Sequence, residues 1–476
     1  MLFRMIYDDI LAEAAYLVGC QRTGEAIIFD PERDVDRYLA LAKKEGVRIV
    51  AAAETHIHAD FLSGVRELAE RGVKAFVSGE GGADWNPRWL NSKSGGGTYD
   101  TVSLRHGDTF RIGNIEIKAL HTPGHTPEHL SYLVTDRGGS ADEPMGVVTG
   151  DFVFVGDLGR PDLLETAAGV AGVKEPSARA LFKSVGEFLK LPEYLQVWPA
   201  HGAGSACGKA LGAVPQSTVG YERRFNPSIR AAGDGEAAFV QAILAGQPEP
   251  PTYFARMKRE NRDGPAVLGA LPAPRAMTGA ELAKVDASRT VVIDTRPWAA
   301  FKSGHVPGAI FAPVDNMFVN VVGGYVRPED DIILVTPADR LDQAIRLCVR
   351  IGLDRLVGHV DPAELPAFAK AGGRLVTTPE IAVAEAKSRL DDKNTFVLDV
   401  RGEGEFAEGH IPGATNVAYT RLSAELAKVP KDKQVLVNCK MGGRSARAVA
   451  YLQRQGYDVT NIEGGWTAWE KANPSR

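Results

Sequence analysis

Short apolar runs alternate with longer amphipathic stretches along roughly the first 225 residues. Runs such as AIIFD (26–30) and LSYLV (130–134) are rich in β-branched and aromatic residues and have the length of strands. The stretches VDRYLALAKKEG (35–46) and ARALFKSVGEFLKL (178–191) have the period of helices that bury one face. Strands and helices interleaved at this spacing predict α/β layers with the sheet inside and the helices outside.

The C-terminal part of the chain contains an internal repeat. VVIDTRPWAAFKSGHVPGAIFAP (291–313) and FVLDVRGEGEFAEGHIPGATNVA (396–418) share D-x-R and G-H-[VI]-P-G-A. Each copy continues into an apolar strand, IILV (332–335) or VLVN (435–438), and then into a helical stretch. Self-similarity at an offset of about a hundred residues predicts two tandem α/β domains.

A segment rich in proline and alanine, LGALPAPRAM (268–277), precedes the first repeat and is typical of a linker. We therefore predict three domains, over 1–265, 275–375 and 378–476.

Composition limits the classes of function. With 476 residues, 44% of them hydrophobic, the chain has room for about three cores at roughly 150 residues each. The net charge of -5 indicates no nucleic-acid partner, and the basic run RMKREN (256–261) is typical of a solvated helix face. The sequence lacks both the roughly 18-residue apolar run of a membrane span and the apolar core of a secretory signal. Four widely spaced cysteines are typical of a cytoplasmic protein.

Histidine and aspartate side chains cluster where predicted strands of the first domain end. They lie in ETHIHADFLSG (54–64), HTPGHTPEH (121–129), VVTGDFVF (147–154) and VWPAHGAGSACG (197–208). Open α/β sheets place their sites at such strand ends. A carboxylate such as Asp151, alone after an apolar strand, is costly without a cation nearby. Together the segments predict a metal centre.

The order H-x-H-x-D, H-T-P-G-H, T-G-D and A-H-G resembles the metallo-β-lactamase superfamily and implies its αββα sandwich. Most members hold two metals and continue H-x-H-x-D with a further histidine, where Phe61 stands here. Two imidazoles and one carboxylate leave open positions that suit Fe(II) with O2 and substrate. The pattern is similar to persulfide dioxygenases, which implies one Fe(II) per chain, held by His56, His125 and Asp151. The groups that would support these ligands are His58, Asp60 and His201.

Further residues of the first domain have two interpretations. Arg160 binds a carboxylate of a thiol carrier or orders its own loop through a neighbouring aspartate, and the family pattern favours substrate binding. Cys207 faces the substrate channel or is an inert buried thiol, and both alternatives stay open. His121 and His129 flank the ligand loop, and we expect them to fix that loop.

The last repeat places Cys439 between a strand and a helix, in VLVNCKMGGRSARAVAYLQRQGY (435–457). Backbone N–H groups and the positive helix end should lower the pKa of this thiol and stabilise an anionic adduct. Gly442 and Gly443 let the backbone curl round the sulfur, and Arg444 adds positive charge. Over about 380–474 the motifs resemble a rhodanese sulfurtransferase, whose cysteine and arginine are catalytic; a related phosphatase would need a longer loop.

The middle repeat lacks this nucleophile. Its sequence continues VTPADR (335–340), with Val335 or Thr336 at the position of the cysteine. Cys348 lies within the following amphipathic stretch and is expected to be packed in the core. We therefore predict a catalytically silent rhodanese-like domain.

The order of domains resembles persulfide dioxygenase and rhodanese fusion proteins. This resemblance implies oxidation of a low-molecular-weight thiol persulfide by O2 to sulfite. It also implies sulfur transfer at Cys439 that forms or uses thiosulfate, in the detoxification of sulfide. The expected partners are therefore small molecules, without nucleic acid or membrane.

Three alternatives remain beside this interpretation. The first is a glyoxalase II-like thioester hydrolase with two zinc ions, against which Phe61 argues. The second is a sulfurtransferase with a degenerate metal domain, and the third is a sulfur carrier without turnover. The sequence leaves open the carrier thiol, the transfer of sulfur between the two centres and the oligomeric state, for which a homo-oligomer is one alternative.

Overall fold

The computed structural model describes residues 1–139, 141–167, 169–209 and 211–474. The chain divides into two compact units: the first is Met1–Pro248 with Phe254–Ala270, and the second is Glu249–Tyr253 with Leu271–Arg476. The three predicted domain boundaries stay predictions. Within the described ranges, no helix has the length and apolarity needed to cross a membrane.

The first unit is a sandwich of two six-stranded sheets. Its strands are β1 (Leu2–Asp8), β2 (Glu13–Cys20), β3 (Glu25–Phe29), β4 (Arg48–Ala53), β5 (Lys74–Ser78), β6 (Thr101–Leu104), β7 (Thr109–Ile112), β8 (Ile115–His121), β9 (Leu130–Asp136), β10 (Gly146–Gly150), β11 (Val153–Phe154), β12 (Asp157–Leu158), β13 (Gln196–Pro199) and β14 (Ser217–Thr218). Its helices are α1 (Asp36–Lys44), α2 (Val65–Glu70), α3 (Leu163–Thr166), α4 (Lys174–Phe188), α5 (Val219–Phe225), α6 (Pro227–Ala232), α7 (Glu236–Leu244) and α8 (Phe254–Asp263). The strand orders are β1-β2-β3-β4-β5-β6 and β14-β13-β10-β9-β8-β7.

Strand β2 shows why the layers form. Its residues Tyr16 and Val18 pack into the core between the sheets, whereas Ala15 and Leu17 pack into the core beneath α1 and α2. Because side chains alternate along a strand, an apolar run of this kind must be covered on both faces. On the other sheet, α4 and α7 cover β10 and β13. The predicted αββα sandwich is therefore confirmed.

Helix α8 corrects the prediction for the basic run 256–261. Lys258 and Asn261 are only 7% and 5% exposed, so this face is not solvated. The Asn261 amide donates to the carbonyl oxygens of His58 (2.9 Å) and Phe61 (2.7 Å). The helix therefore packs on the loop after β4, and its burial depends on tertiary partners that the charge pattern does not reveal.

The second unit contains two five-stranded parallel sheets. Its strands are β15 (Arg275–Ala276), β16 (Thr290–Asp294), β17 (Ile310–Phe311), β18 (Asp331–Val335), β19 (Leu356–Val360), β20 (Glu380–Ile381), β21 (Thr395–Asp399), β22 (Thr415–Asn416), β23 (Gln434–Asn438) and β24 (Asp458–Ile462). Its helices are α9 (Gly279–Leu282), α10 (Trp298–Ser303), α11 (Phe318–Tyr325), α12 (Ala338–Arg350), α13 (Leu365–Lys370), α14 (Val383–Ser388), α15 (Glu403–Glu408), α16 (Gly443–Arg454) and α17 (Gly465–Ala472). The orders β15-β19-β18-β16-β17 and β20-β24-β23-β21-β22 are equivalent, as the repeat predicts.

The D-x-R and G-H motifs of the repeats are structural. The Arg401 guanidinium donates to both carboxylate oxygens of Asp399 and to the carbonyl oxygen of Gly409 (2.7 Å). The same bonds are made in the middle repeat by Arg296 to Asp294 and Gly304. These bonds join the end of β16 to the turn before His305, and the end of β21 to the turn before His410.

Two glycines of the first unit should respond in opposite ways to alanine. A Cβ on Gly159 would lie 1.7 Å from the carbonyl oxygen of Asp151, whereas a Cβ on Gly186, exposed within α4, meets open space. We expect Gly159→Ala to destabilise by about 1–3 kcal/mol through overpacking. Gly186→Ala should stabilise by about 0.5–1 kcal/mol, because alanine loses less backbone entropy in a helix.

Urea unfolding followed by circular dichroism measures both changes. Shifts of the same sign in the two variants would contradict this account of the Gly159 loop.

Candidate functional site

Three predicted ligands converge where strands of both sheets end. His56 follows β4, His125 lies between β8 and β9, and Asp151 follows β10 directly. One ligand atom from each lies within 4.8 Å of the others. The Nε2 atoms of His56 and His125 lie 3.8 and 3.5 Å from Oδ2 of Asp151. All three side chains are buried.

Neighbouring groups fix the two imidazoles. Nδ1 of His125 donates to the carbonyl oxygen of Arg160 (3.0 Å), and Nδ1 of His56 lies 2.9 Å from the Thr55 hydroxyl. Burial lowers the pKa of His125 to about 4 and that of His56 well below its ordinary value. Both rings are therefore neutral at neutral pH, with Nε2 directed at Asp151.

The side chains fit a metal ion. Among the described residues, Nε2 of His125 and both carboxylate oxygens of Asp151 have no hydrogen-bond partner, although they are buried. Orphaned polar atoms are costly in a protein interior unless a ligand satisfies them. Two imidazole nitrogens and one carboxylate oxygen suit a divalent ion such as iron or zinc and leave further coordination positions free.

His58 points away from these ligands. Its Nε2 lies 3.1 Å from Oδ1 of Asp30, and its ring centroid lies 4.4 Å from that of Phe61. Burial opposes protonation, but the Asp30 carboxylate raises the pKa of His58 above its ordinary value. Asp30 also accepts hydrogen bonds from the amide (2.7 Å) and hydroxyl (3.0 Å) of Thr55. The sequence analysis missed Asp30, although it ends an apolar strand just as Asp151 does.

A second group, formed by Asp60, His201 and Cys207, adjoins the first, and its ligand atoms lie within 4.8 Å of one another. Nε2 of His201 lies 3.4 Å from Oδ2 of Asp60 and 3.3 Å from Oδ1 of Asp151. Asp151 thus lies between the groups. Burial raises the pKa of the Cys207 thiol to about 12. Cys207 is buried, at 1% exposure, and a position facing the substrate channel stays a prediction.

Arg160 adopts the loop-ordering arrangement. Its guanidinium donates twice to Asp162 (2.9 and 2.6 Å) and once to the carbonyl oxygen of Ala206 (3.2 Å). The side chain is 1% exposed. Because its nitrogens are engaged within the loop that orients His125, contact with a substrate carboxylate stays a prediction.

The loops around the ligands are held by two more histidines. Nε2 of His121 donates to the carbonyl oxygen of Pro127 (2.7 Å), and Nδ1 of His129 lies 2.8 Å from the hydroxyl of Thr122. These contacts agree with the expected loop-fixing role.

The second unit forms a loop around Cys439, which follows β23. The amide of Gly442 donates to Sγ (3.1 Å), and the Ser445 hydroxyl donates to it as well (3.4 Å). Gly442 has φ +97°, in the left-handed region that glycine permits, and Gly443 begins α16. Gly465 packs closely against this loop, and a Cβ there would lie 2.2 Å from the Cys439 carbonyl oxygen. The loop therefore directs polar hydrogens at the sulfur.

Arg444 lies beside the loop, and its guanidinium donates to the two carboxylate oxygens of Glu405, at 2.5 and 2.8 Å. The hydrogen bonds from Arg444 lower the pKa of Glu405. The predicted contact of Arg444 with substrate stays a prediction. The sequence analysis missed Glu405, because an acidic residue in the exposed-looking helix α15 carries no signal of its distant partner.

Strand register identifies the residue that replaces the nucleophile in the middle repeat. Asp399 pairs with Asn438, the residue before Cys439, and the equivalent Asp294 pairs with Val335. Thr336 therefore occupies the position of the cysteine. Helix α12 begins at Ala338, so this repeat lacks the longer loop that surrounds Cys439. Within the part of the chain described, no second thiol stands at such a loop.

Comparisons with known proteins identify two families. The model of the metallo-beta-lactamase superfamily matches residues 9–201, and that of the rhodanese-like domain matches residues 382–472. A metallo-beta-lactamase from Staphylococcus aureus subsp. aureus COL, solved by crystallography, is 39% identical, with a TM-score of 0.67. The similarity covers 76% of this chain and 99% of that one.

Two curated relatives match different parts of the chain. Persulfide dioxygenase ETHE1 of Homo sapiens is 26% identical over 234 residues, which are 48% of this chain and 76% of that protein. The Bacillus subtilis protein named "Putative sulfurtransferase YtwF" is 36% identical over 92 residues, which are 19% of this chain and 89% of that protein. The dioxygenase thus matches about half of the chain, and the sulfurtransferase matches about a fifth.

Removal of His125 should abolish metal binding. We expect His125→Ala, loaded anaerobically with Fe(II), to hold no ion, because two remaining donors are too few for a stable site. The exposed His106 provides a control, and His106→Ala should retain about one ion per chain, like the unchanged protein. Elemental analysis measures both. Metal retained by His125→Ala would place the centre elsewhere.

The pair of Glu405 and Arg444 should give a pH-dependent contribution to stability. Because the pKa of Glu405 is depressed in the folded state, the contribution is present above the unfolded value near 4.3 and is lost as pH falls through the folded pKa. Glu405→Gln should therefore cost about 0.5–1 kcal/mol at pH 7 and nothing in strong acid. Denaturant unfolding at several pH values tests this, with Glu408→Gln on the exposed side of α15 as control.

Proposed function

This chain belongs to the metallo-β-lactamase superfamily and ends in a rhodanese-like domain, and on that premise we propose an iron-dependent persulfide dioxygenase joined to a thiosulfate sulfurtransferase. The observation that carries the first activity is the buried set of His56, His125 and Asp151, in which Nε2 of His125 and both Asp151 oxygens have no hydrogen-bond partner among the described residues. Similarity to persulfide dioxygenase ETHE1 supports the same activity.

The first unit supplies a rigid, buried seat for the ion. His56, His125 and Asp151 would hold one Fe(II), which when bound supplies the chemistry of O2 activation and a position for the persulfide sulfur. The carbonyl of Arg160 fixes the ring of His125, and Asp162 in turn fixes Arg160. These contacts keep the ligands in place without help from the substrate.

The overall conversion is R–S–SH + O2 + H2O → R–SH + HSO3⁻ + H⁺. The outer sulfur is oxidised and O2 is reduced, while the S–S bond breaks and the inner sulfur leaves as the thiol. Nε2 of His201 lies beside the centre, 3.4 Å from Asp60 and 3.3 Å from Asp151. We assign to His201 the transfer of a proton to the departing thiolate.

The second unit would transfer sulfane sulfur. The thiolate of Cys439 attacks the outer sulfur of thiosulfate, a new S–S bond forms, and sulfite leaves with the electron pair of the broken bond. The Gly442 amide and the Ser445 hydroxyl already donate to Sγ and would stabilise the negative charge of the resulting persulfide. In the reverse direction, sulfite made by the first unit would accept this sulfur and form thiosulfate.

A second candidate function is a two-metal hydrolase of the glyoxalase II type. The group of Asp60, His201 and Cys207 favours it, because Cys207 offers a ligand where Phe61 removes one. A thiolate ligand requires deprotonation of Cys207, whose burial opposes ionisation until an ion binds. Two ions per chain with thioester hydrolysis would establish this alternative.

The two proposed activities should separate by mutation. His125→Ala should abolish persulfide-dependent oxygen uptake and leave thiosulfate:cyanide sulfur transfer unchanged, whereas Cys439→Ser should do the reverse, because each removes the central group of a different unit. An oxygen electrode and a thiocyanate assay measure the two rates on the same preparations. Loss of both activities in either variant, with the fold intact, would refute the two-centre proposal.

A further inference from the structure

A lysine that no predicted role explains is buried beside the metal centre. Lys258 lies on α8 and is 7% exposed. Among the residues described here, its Nζ has no hydrogen-bond partner. The ammonium lies over the ring of Trp85, whose centroid is 5.7 Å away.

The packing of α8 directs Lys258 towards the centre. Asn261 lies one turn further along the helix and donates to the carbonyl oxygens of His58 and Phe61, in the loop that carries the metal ligands. Residues three apart share one face of a helix, so Lys258 and Asn261 both face this loop. The position of Lys258 is therefore set by a helix that is fastened to the ligand loop.

The charge of Lys258 acts on the groups of the centre. Burial lowers its pKa, and the charges of Glu128, then Cys207 and Asp151, oppose this effect. Glu128 uses one oxygen to accept the amide of Ile57 (2.8 Å), and burial raises its own pKa, which weakens it as a counter-ion. Within the described ranges, the ammonium of Lys258 thus has no hydrogen-bonded counter-ion.

A buried ammonium is costly unless an opposite charge accompanies it, and a bound anion can supply that charge. We propose that Lys258 is the anion-binding residue of this centre and holds the oxyanion of the sulfur product, sulfite, beside the metal ligands. This inference rests on the proposed dioxygenase function and deepens it, because it assigns a residue to the oxidised sulfur. The ring of Trp85 lies over the ammonium, a contact that is compatible with positive charge on Lys258.

The carrier thiol offers a different anion, a carboxylate such as that of glutathione. Two observations favour the sulfur oxyanion. Lys258 shares a face of α8 with Asn261, which binds the carbonyl oxygens of His58 and Phe61, so the lysine lies towards the ligand loop. Arg160, the residue predicted to bind a carrier carboxylate, is already paired with Asp162.

The test is calorimetric titration of sulfite into anaerobic, Fe(II)-loaded full-length protein. We expect Lys258→Met and Lys258→Gln to weaken sulfite binding about tenfold or more, the effect of removing a charged hydrogen bond. Both variants should keep their metal content, since Lys258 is not a ligand. Arg259→Met, on the exposed side of α8, should bind sulfite like the unchanged protein.

Oxygen uptake with two persulfides distinguishes the sources of the anion. If Lys258 holds the sulfur oxyanion, its variants lose activity equally with glutathione persulfide and with 2-hydroxyethyl persulfide, which has no carboxylate. A rise in KM confined to glutathione persulfide would overturn the inference in favour of the carrier carboxylate.

Unchanged sulfite affinity in variants that retain metal would also overturn the inference, while leaving the dioxygenase proposal intact. Absence of sulfite binding to the unchanged protein would overturn it even if neither variant folds. Conversely, absence of oxygen uptake by the unchanged protein would refute the dioxygenase, whereas a loss of sulfite affinity confined to the Lys258 variants would still support the anion site.

Discussion

The first unit is organised around one buried carboxylate. Asp151 ends an apolar strand, lies in the interior and has no hydrogen-bond partner for either oxygen within the described part of the chain. The cost of such a group falls only where positive charge or a cation is brought to it. His56, from the end of one sheet, and His125, from the end of the other, lie close to this carboxylate, so the sandwich brings the ligands of both sheets together.

Support for these ligands comes from segments far apart in sequence. Asp30 lies against His58, Arg160 holds His125 through its carbonyl oxygen, and Asn261 binds the loop carrying His58 from a helix two hundred residues further along the chain. Each of these groups is polar and buried, and each satisfies a backbone or ring atom of the ligand loops. The precision of the site therefore depends on the fold as a whole and not on the ligand motifs alone.

This division explains what the sequence could predict. Local periodicity predicted the α/β layers, and self-similarity predicted the repeat. The resemblance of the motifs implied the sandwich and the ligands His56, His125 and Asp151, which the fold does bring together. The surroundings of Lys258 and Glu405 could not be predicted, because a charged residue in an amphipathic helix has the same pattern whether it faces solvent or a distant residue. The register of β16 with β18 was needed to identify Thr336, since two neighbouring positions fitted the repeat equally well.

The middle repeat differs from the last one by more than the identity of one side chain. Thr336 is followed at once by Pro337 and the start of α12, whereas the last repeat has a longer loop from which the Gly442 amide donates to the sulfur. A cysteine at position 336 would be buried and would lack the loop that supplies hydrogen-bond donors to Cys439. A nucleophile in the middle repeat would therefore require the insertion of residues as well as a substitution at 336.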